Sequence, residues 1–498
     1  MSTSAEFDAP PVQKETGHPR GLYVLFGAEM WERFSYYGMR ALLVLYLTNR
    51  LEYARKDALA LYAVYTGLVY LTPILGGFLA DKFLGQRKAI LIGGIVMAMG
   101  HFAMAFPPLL ELALGLLILG NGFFKPNIST MVGNLYPQGD ARRDGAYTIF
   151  YMGINLGAFF SPIVCGFLGE KVGWHYGFGA AGVGMVFGLI SFLSFQRLLV
   201  GGFPPGREEE LGDAARLTVM DWVHVILISL ACLGFAYGSI ELWPTIRPYK
   251  PYLFYALGAL AGLGVLNVAR HLISSKDKIE SEEWQRVTVI LIVGLFSVMF
   301  WMAFEQAGGT LTLFADKNTD RSALGPEIPA SLFQSINPML IFILAPVFSI
   351  LWATVDRSRF KLTSTAKMGL GLILLGLGCV VMYRADALSA SGKVGPQWLA
   401  SVYFLFTIGE ICLSPIGLSM VNKLAPARMA SLMMAIWFLC TAVANYLAGI
   451  LEHELATISE KYDVSINLWL FLIATSIIPG IMLLALTVPL KKMSHGRL

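Results

Sequence analysis

Apolar stretches of about 20 residues recur from near residue 22 to near residue 489, each long enough to cross a bilayer as an α-helix. No other feature constrains the fold as tightly. Hydrocarbon offers backbone amides and carbonyls no hydrogen-bond partner, so a spanning chain must satisfy them internally, as helices do. Charge supports the same reading. Only 14% of the 498 residues are Asp, Glu, Lys or Arg, against about 25% in soluble proteins. A chain this long and this poor in charge cannot clothe its surface in polar groups, so lipid is its main solvent. The five cysteines (Cys165, Cys232, Cys379, Cys412 and Cys440) lie inside apolar stretches with no CxxC spacing, and read as small buried side chains.

Six spans are expected in the first half, near 22–48, 57–81, 88–106, 110–134, 145–169 and 176–198. A polar connection at 199–217 leads to two inserted helices near 219–242 and 252–273. Six more spans follow near 286–315, 329–354, 364–383, 396–424, 428–451 and 466–489. With both termini inside, about 23 of the 37 Lys and Arg fall on the cytoplasmic side, about 11 outside and about three within the membrane, as the positive-inside rule expects. The expected organisation is a cytoplasmic tail at 1–20, a six-helix bundle at 21–200, a linker with two inserted helices at 201–283, a second six-helix bundle at 284–490, and a cytoplasmic tail at 491–498. The fold class is an all-α polytopic membrane protein with fourteen transmembrane helices. Two six-helix halves suggest a transporter built from repeats. The net charge of +4 is spread through loops, with no basic run interleaved with aromatics, so nucleic acid is not an expected partner.

Ionisable residues inside the spans carry the functional information. Glu29, Glu32, Arg33, Tyr36, Tyr37 and Arg40 fall at i, i+3, i+4, i+7, i+8 and i+11 of the first helix, one continuous polar stripe. Lys125, Glu305 and Glu410 lie at mid-membrane depth elsewhere, and Asp316 lies near the outer end of the helix that carries Glu305. Left in lipid, the seven central charges would together cost on the order of 20 kcal/mol. They are therefore expected to face one another across an internal cavity. Acids exceed bases in this set, a balance that suits a zwitterion travelling with protons.

The loop Gly76-Gly77-Phe78-Leu79-Ala80-Asp81-Lys82-Phe83-Leu84-Gly85-Gln86-Arg87-Lys88 resembles the signature loop of the major facilitator superfamily. In that reading Asp81 and Arg87 hold helix ends together and serve gating. Further motifs are more specific: Glu29-x-x-Glu32-Arg33-Phe34-x-Tyr36-Tyr37-Gly38, Gly120-x-Gly122-x-x-Lys125-Pro126-Asn127, Phe150-Tyr151-x-x-Ile154-Asn155, Phe300-Trp301-x-x-Phe304-Glu305-Gln306, Gln334-x-x-Asn337-Pro338 and Gly409-Glu410-x-x-x-Ser414-Pro415. Together they resemble the proton-dependent oligopeptide transporter family over roughly residues 20–490, bacterial members of which also carry two extra helices between the halves.

The resemblance implies a major facilitator fold and a proton-coupled symporter importing di- and tripeptides. Arg33 and Lys125, helped by Tyr37 and Tyr70, would hold the peptide carboxylate, and Tyr36 would also contact the substrate. Glu410, with Asn155 and Asn337, would hold the amino terminus, and Ser414, Trp301 and Trp437 would line the rest of the site. Glu29, Glu32, Arg33, Lys125 and Glu305 would couple protons, Glu305 and Lys125 exchanging partners as the proton comes and goes. Arg40 and Asp316 would latch the outer gate. The implied partners are peptides, protons and membrane lipid, with no other cofactor and no metal. The implied setting is a bacterial plasma membrane, with a single chain as the working unit. The rival reading is a carrier of the same fold for nitrate, a drug or a peptide-like metabolite. A membrane enzyme is disfavoured, since the sequence holds neither HExxH nor GxSxG.

Overall fold

The computed structural model describes residues 17–137, 140, 142–203, 217–241, 280–323, 325–357, 362–426 and 430–496. The tail before residue 17, most of the expected polar connection (204–216) and the second inserted helix (252–273) lie outside the described residues.

The first half comprises α1 (Arg20–Asn49), α2 (Arg55–Leu71), α3 (Pro73–Leu79), α4 (Gly85–Ala103), α5 (Leu110–Asn134), α6 (Arg142–Ser161) and α7 (Trp174–Phe195). Then comes α8 (Val219–Glu241). The second half holds α9 (Ser281–Phe304), α10 (Thr310–Lys317), α11 (Ile336–Arg357), α12 (Ser364–Ser389), α13 (Gln397–Leu424), α14 (Ala430–Tyr462), α15 (Leu468–Ala485) and α16 (Thr487–Met493). Among the described residues there is no strand; one isolated bridge joins Thr319 to Val394.

Eleven stretches of the described chain are long and apolar enough to span a bilayer. One of them, Arg55–Ala103, doubles back and supplies two crossings. The Thr72 hydroxyl donates to the Ile118 carbonyl (2.9 Å), while Gly100, 28 residues later, packs on Leu117. On a straight helix those positions would lie about 42 Å apart. The reversal is at Gly85, whose φ of +71° is open to glycine at little cost. The charged α1 falls outside the apolar set, although it is the most deeply enclosed helix of the first half. It packs on α6 and α7, with α4 against α5 and α7. In the second half α12 packs on α13 and α15, and α9 on α14. The halves meet where α2 packs on α14 and α6 on α11.

The inserted α8 packs outside the bundle on α5, where Leu233 and Tyr237 meet Gly115. Only Val225, Ala236 and Ile240 of its 23 residues are buried, the signature of a helix facing lipid. Elsewhere too the periphery is apolar and exposed, as at Phe187, Ile190, Ile343, Ile350 and Ile478. A second-half span expected as one helix, 286–315, is broken. The chain leaves α9 at Phe304, makes a 3₁₀ turn over Glu305–Gly308, and resumes as α10.

Both ends of the described chain, near residues 17 and 496, lie at one end of the bundle, called here the terminal end. Arg40 meets Glu305 at mid-depth, and further along the same two segments Asn49 meets Asp316 (2.9 Å) and Lys317 (3.0 Å). The segments therefore run parallel, and both begin at the terminal end. His495 bonds to Gln285 (2.8 Å) and fixes the C-terminus there as well.

Candidate functional site

The α1 stripe builds one wall of a central cavity. Glu29 and Glu32 are fully buried behind it, and Arg33 turns over them. The Arg33 guanidinium donates to both Glu32 oxygens, one contact at 2.5 Å, and lies 3.5 Å from Glu29. Lys125, from α5, pairs with the same Glu29 oxygen. Two acids thus neutralise two bases within one half. The other Glu29 oxygen has no hydrogen-bond partner among the described residues. Deleting one member of such a set would strand a buried charge, at about 3–5 kcal/mol.

The second half supplies the facing wall. Glu410, on α13, accepts a hydrogen bond from Asn337 (2.8 Å), which also donates to Thr407 (3.0 Å). Among the described residues Glu410 makes no ion pair. At mid-depth the walls are joined: Arg40 pairs with Glu305 and donates to the Tyr62 hydroxyl (2.6 Å). The break after α9 makes this meeting possible. A Cβ on Gly308 would sit 1.9 Å from the Tyr62 hydroxyl and 2.8 Å from the Arg40 guanidinium, so only glycine lets the second half approach this closely.

The cavity between the walls measures about 280 Å³, near the lower end of small-ligand pockets, about 300–1,000 Å³. Arg33, Tyr37, Tyr70, Lys125, Asn155, Trp301, Asn337, Glu410, Ser414 and Trp437 all line it, as do Arg40 and Glu305. Tyr36 does not. It is buried beneath the Arg33 guanidinium, 4.8 Å from the ring centroid, and its hydroxyl lacks a partner. From that position it does not border the cavity, where a substrate contact was expected. Tyr151, Gln334, Tyr403, Phe406, Phe438 and Thr441 also line it, and the sequence motifs give them no role. Helical spacing carries a signal for several: Tyr151 lies four residues before Asn155, Tyr403 seven before Glu410, and Thr441 four after Trp437.

Two expected pairings are not formed in this arrangement. Asp316 does not meet Arg40; it sits at the far end with Arg321 (3.3 Å) and Lys317 (3.1 Å). Glu305 does not hold Lys125 in this arrangement, because Arg40 and Glu29 occupy the two partners. Asp81 accepts from Gln86 (3.2 Å), and Arg87 donates to the carbonyls of Gln196, Leu199 and Gly201, tying the start of α4 to the chain after α7.

The far end is closed by ties between the halves. The Glu170 carboxylate accepts from the Ala330 and Ser331 amides (2.8 and 2.9 Å) and from the Ser331 hydroxyl (2.5 Å). It thereby caps the helical segment at Ala330–Ser335, which belongs to the other half. Arg321 lies 3.7 Å from Glu170 and 2.8 Å from Glu327, and Lys171 reaches Glu327 (2.9 Å). Arg55 and Glu452 form a further tie at the rim (2.6 Å).

A charged cavity at the centre of a helical membrane bundle, walled by two halves and shut at one end, defines a solute carrier. The profile of PTR2, the POT family, matches residues 87–468, and this chain belongs to that family of membrane transporters. It is 35% identical to the peptide transporter YePEPT of Yersinia enterocolitica subsp. palearctica serotype O:3 (strain YE-P4) over 96% of each chain. It is also 35% identical to a di-/tripeptide transporter of Lactococcus lactis subsp. lactis (strain IL1403), over 96% of this chain and 97% of the relative. The crystal structure of the peptide transporter POT in complex with sulfate superposes with a TM-score of 0.80, at 35% identity over 96% of each chain.

Proposed function

We propose that this protein imports di- and tripeptides across a bacterial plasma membrane in symport with protons, the terminal end being cytoplasmic and one chain the working unit. Family membership and the named cargo of the relatives support this reading. The observation that carries it is Glu410. A carboxylate without an ion-pair partner among the described residues faces a wall that presents Arg33 and Lys125, and that separation of sign suits a ligand with an amine at one end and a carboxylate at the other. Asn155 and Asn337 serve the amine end, Tyr37 and Tyr70 the carboxylate end, and Trp301, Trp437 and Ser414 the side chains between.

Coupling follows from the pairs that exist. A peptide carboxylate competes with Glu29 for Lys125. A carboxylate that loses its cation takes up a proton more readily, so substrate and proton favour each other's binding. Glu29, rather than Glu305, is therefore the partner Lys125 exchanges, and its second oxygen stands unsatisfied already. Glu32 shares the Arg33 charge in the same cluster. A proton on Glu305 removes its attraction for Arg40 and frees the far end to open. Asp81 and Arg87 organise the cytoplasmic helix ends that must move in turn.

Uptake of labelled dialanine into liposomes containing the purified protein tests the reading. Concentrative uptake under an inward proton gradient, collapsing on addition of an uncoupler, is expected. Uptake indifferent to the gradient would overturn the coupling. A folded protein that carries nitrate but no dialanine would overturn the cargo.

A further inference from the structure

The mid-depth tie between the halves leaves one group to be accounted for when it breaks. Arg40 belongs to the first half, and in this arrangement its guanidinium is satisfied by Glu305 and by the Tyr62 hydroxyl. When the far end opens, Glu305 leaves with the second half, while Tyr62 stays on α2. An arginine inside the bundle cannot lose its carboxylate without another acceptor to take the freed N–H groups.

One is already in place. Tyr36 lies four residues before Arg40 on the same face of α1, and side chains on a helix lean back over the preceding turn. The Tyr36 hydroxyl is buried with no hydrogen-bond partner among the described residues. The Tyr37 and Tyr62 rings flank the same guanidinium, each centroid 5.8 Å away, and leave it a tyrosine-lined seat within the first half. A phenylalanine would fill the Tyr36 site equally well if only packing mattered, and would avoid an unpaired hydroxyl that the structure otherwise tolerates without return.

We propose that the Tyr36 hydroxyl is the acceptor that takes over the Arg40 guanidinium when Glu305 departs, making Tyr36 a positioning residue for the state open at the far end. This rests on the transport reading, since it assigns Tyr36 to the second of two alternating states. The hydroxyl is idle in one state and bonded in the other, so it biases the equilibrium between them.

The test is Tyr36→Phe in the full-length chain, reconstituted with spin labels at Lys56→Cys and Ser391→Cys. These exposed positions lie on opposite halves at the far end. Loss of one hydrogen bond to a charged group in the open state alone should lower the population with widely separated labels roughly ten-fold. The thermal unfolding midpoint should hold or rise, because the state lacking that bond gains nothing from the hydroxyl. Proton-driven uptake should fall with the open population. A substitution that merely damaged packing would lower the midpoint and leave the label distances as they are, and that result would overturn the assignment. So would a Tyr36→Phe protein whose distance populations match those of the parent. If the parent itself shows a single distance population with and without proton and peptide, the failure lies with alternating access and not with Tyr36.

Discussion

The two walls of the cavity solve the same problem in opposite ways. The first half brings Glu29, Glu32, Arg33 and Lys125 to the site already paired, so its buried charges are neutral as a group. The second half brings Glu410, supported by the neutral amide of Asn337 and by no cation among the described residues. The paired wall is stable as it stands and can release a cation only in exchange for another charge. The unpaired wall is costly as it stands and is relieved when a cation arrives. Binding of a zwitterion draws on both, and the difference predicts that equivalent neutralising substitutions on the two walls will act in opposite directions on stability.

The largest expected effect on transport comes from Glu410→Gln. It should reduce kcat/KM for dialanine roughly 100-fold, the scale of losing one buried, desolvated charge contact. Removing an uncompensated buried carboxylate should at the same time leave the unfolding midpoint unchanged or raise it. An equal loss for a peptide blocked at its amino terminus would break the assignment of Glu410 to the amine.

Lys125→Gln should impair uptake as well, but with the reverse signature. It strands Glu29 without its cation in a fully buried position, so stability should fall by about 3–5 kcal/mol. The double variant Lys125→Gln/Glu29→Gln should recover most of that stability without recovering peptide uptake. Calorimetry of the single and double variants decides the point. If the double variant is no more stable than the single, the wall is not pre-paired in the sense argued here.

The smallest effect belongs to the rim. Arg55→Ala breaks an ion pair whose side chains are 44% and 32% exposed, and such pairs contribute about 0–1 kcal/mol. Uptake should stay within about two-fold of the parent at physiological salt, where exposed charges are screened. A ten-fold loss would show that the rim, and not Arg40 with Glu305, carries the closure of the far end. Glu327 shares this rim. The Lys171 ammonium bonded to it holds its carboxyl below the ordinary range. That tie is therefore fully present above the usual carboxylate range and is lost only as pH falls through the lowered value.

Much of this was legible in the sequence because each signal was local. Apolar length specified the spans, and helical periodicity placed Glu29, Glu32, Arg33 and Arg40 on one face of α1. The cost of charge in hydrocarbon by itself required an internal cavity. The residues bordering that cavity were largely the ones the motifs carry, since a polar side chain in a spanning helix has few other places to face. Tyr36 was misplaced because, on a stripe spanning i to i+11, its neighbour Tyr37 differs from it by one position and about 100°, and sequence does not say which of the two turns outward.

Pairing was the part that only the tertiary structure decided. Glu29, Glu305, Glu410 and Asp316 are all acids, and nothing in composition or spacing says which cation each will meet. That depends on a break after α9, where Gly308 lets Tyr62 and Arg40 come against the second half, and on the distance that carries Asp316 away from Arg40 to Arg321 at the far end. Coulomb energy falls with separation and with the polarity of the surroundings, so ångström-scale backbone placement selects the partner. The sequence by itself determined that opposed charges must share one interior; the approach of the two halves determined which of them touch.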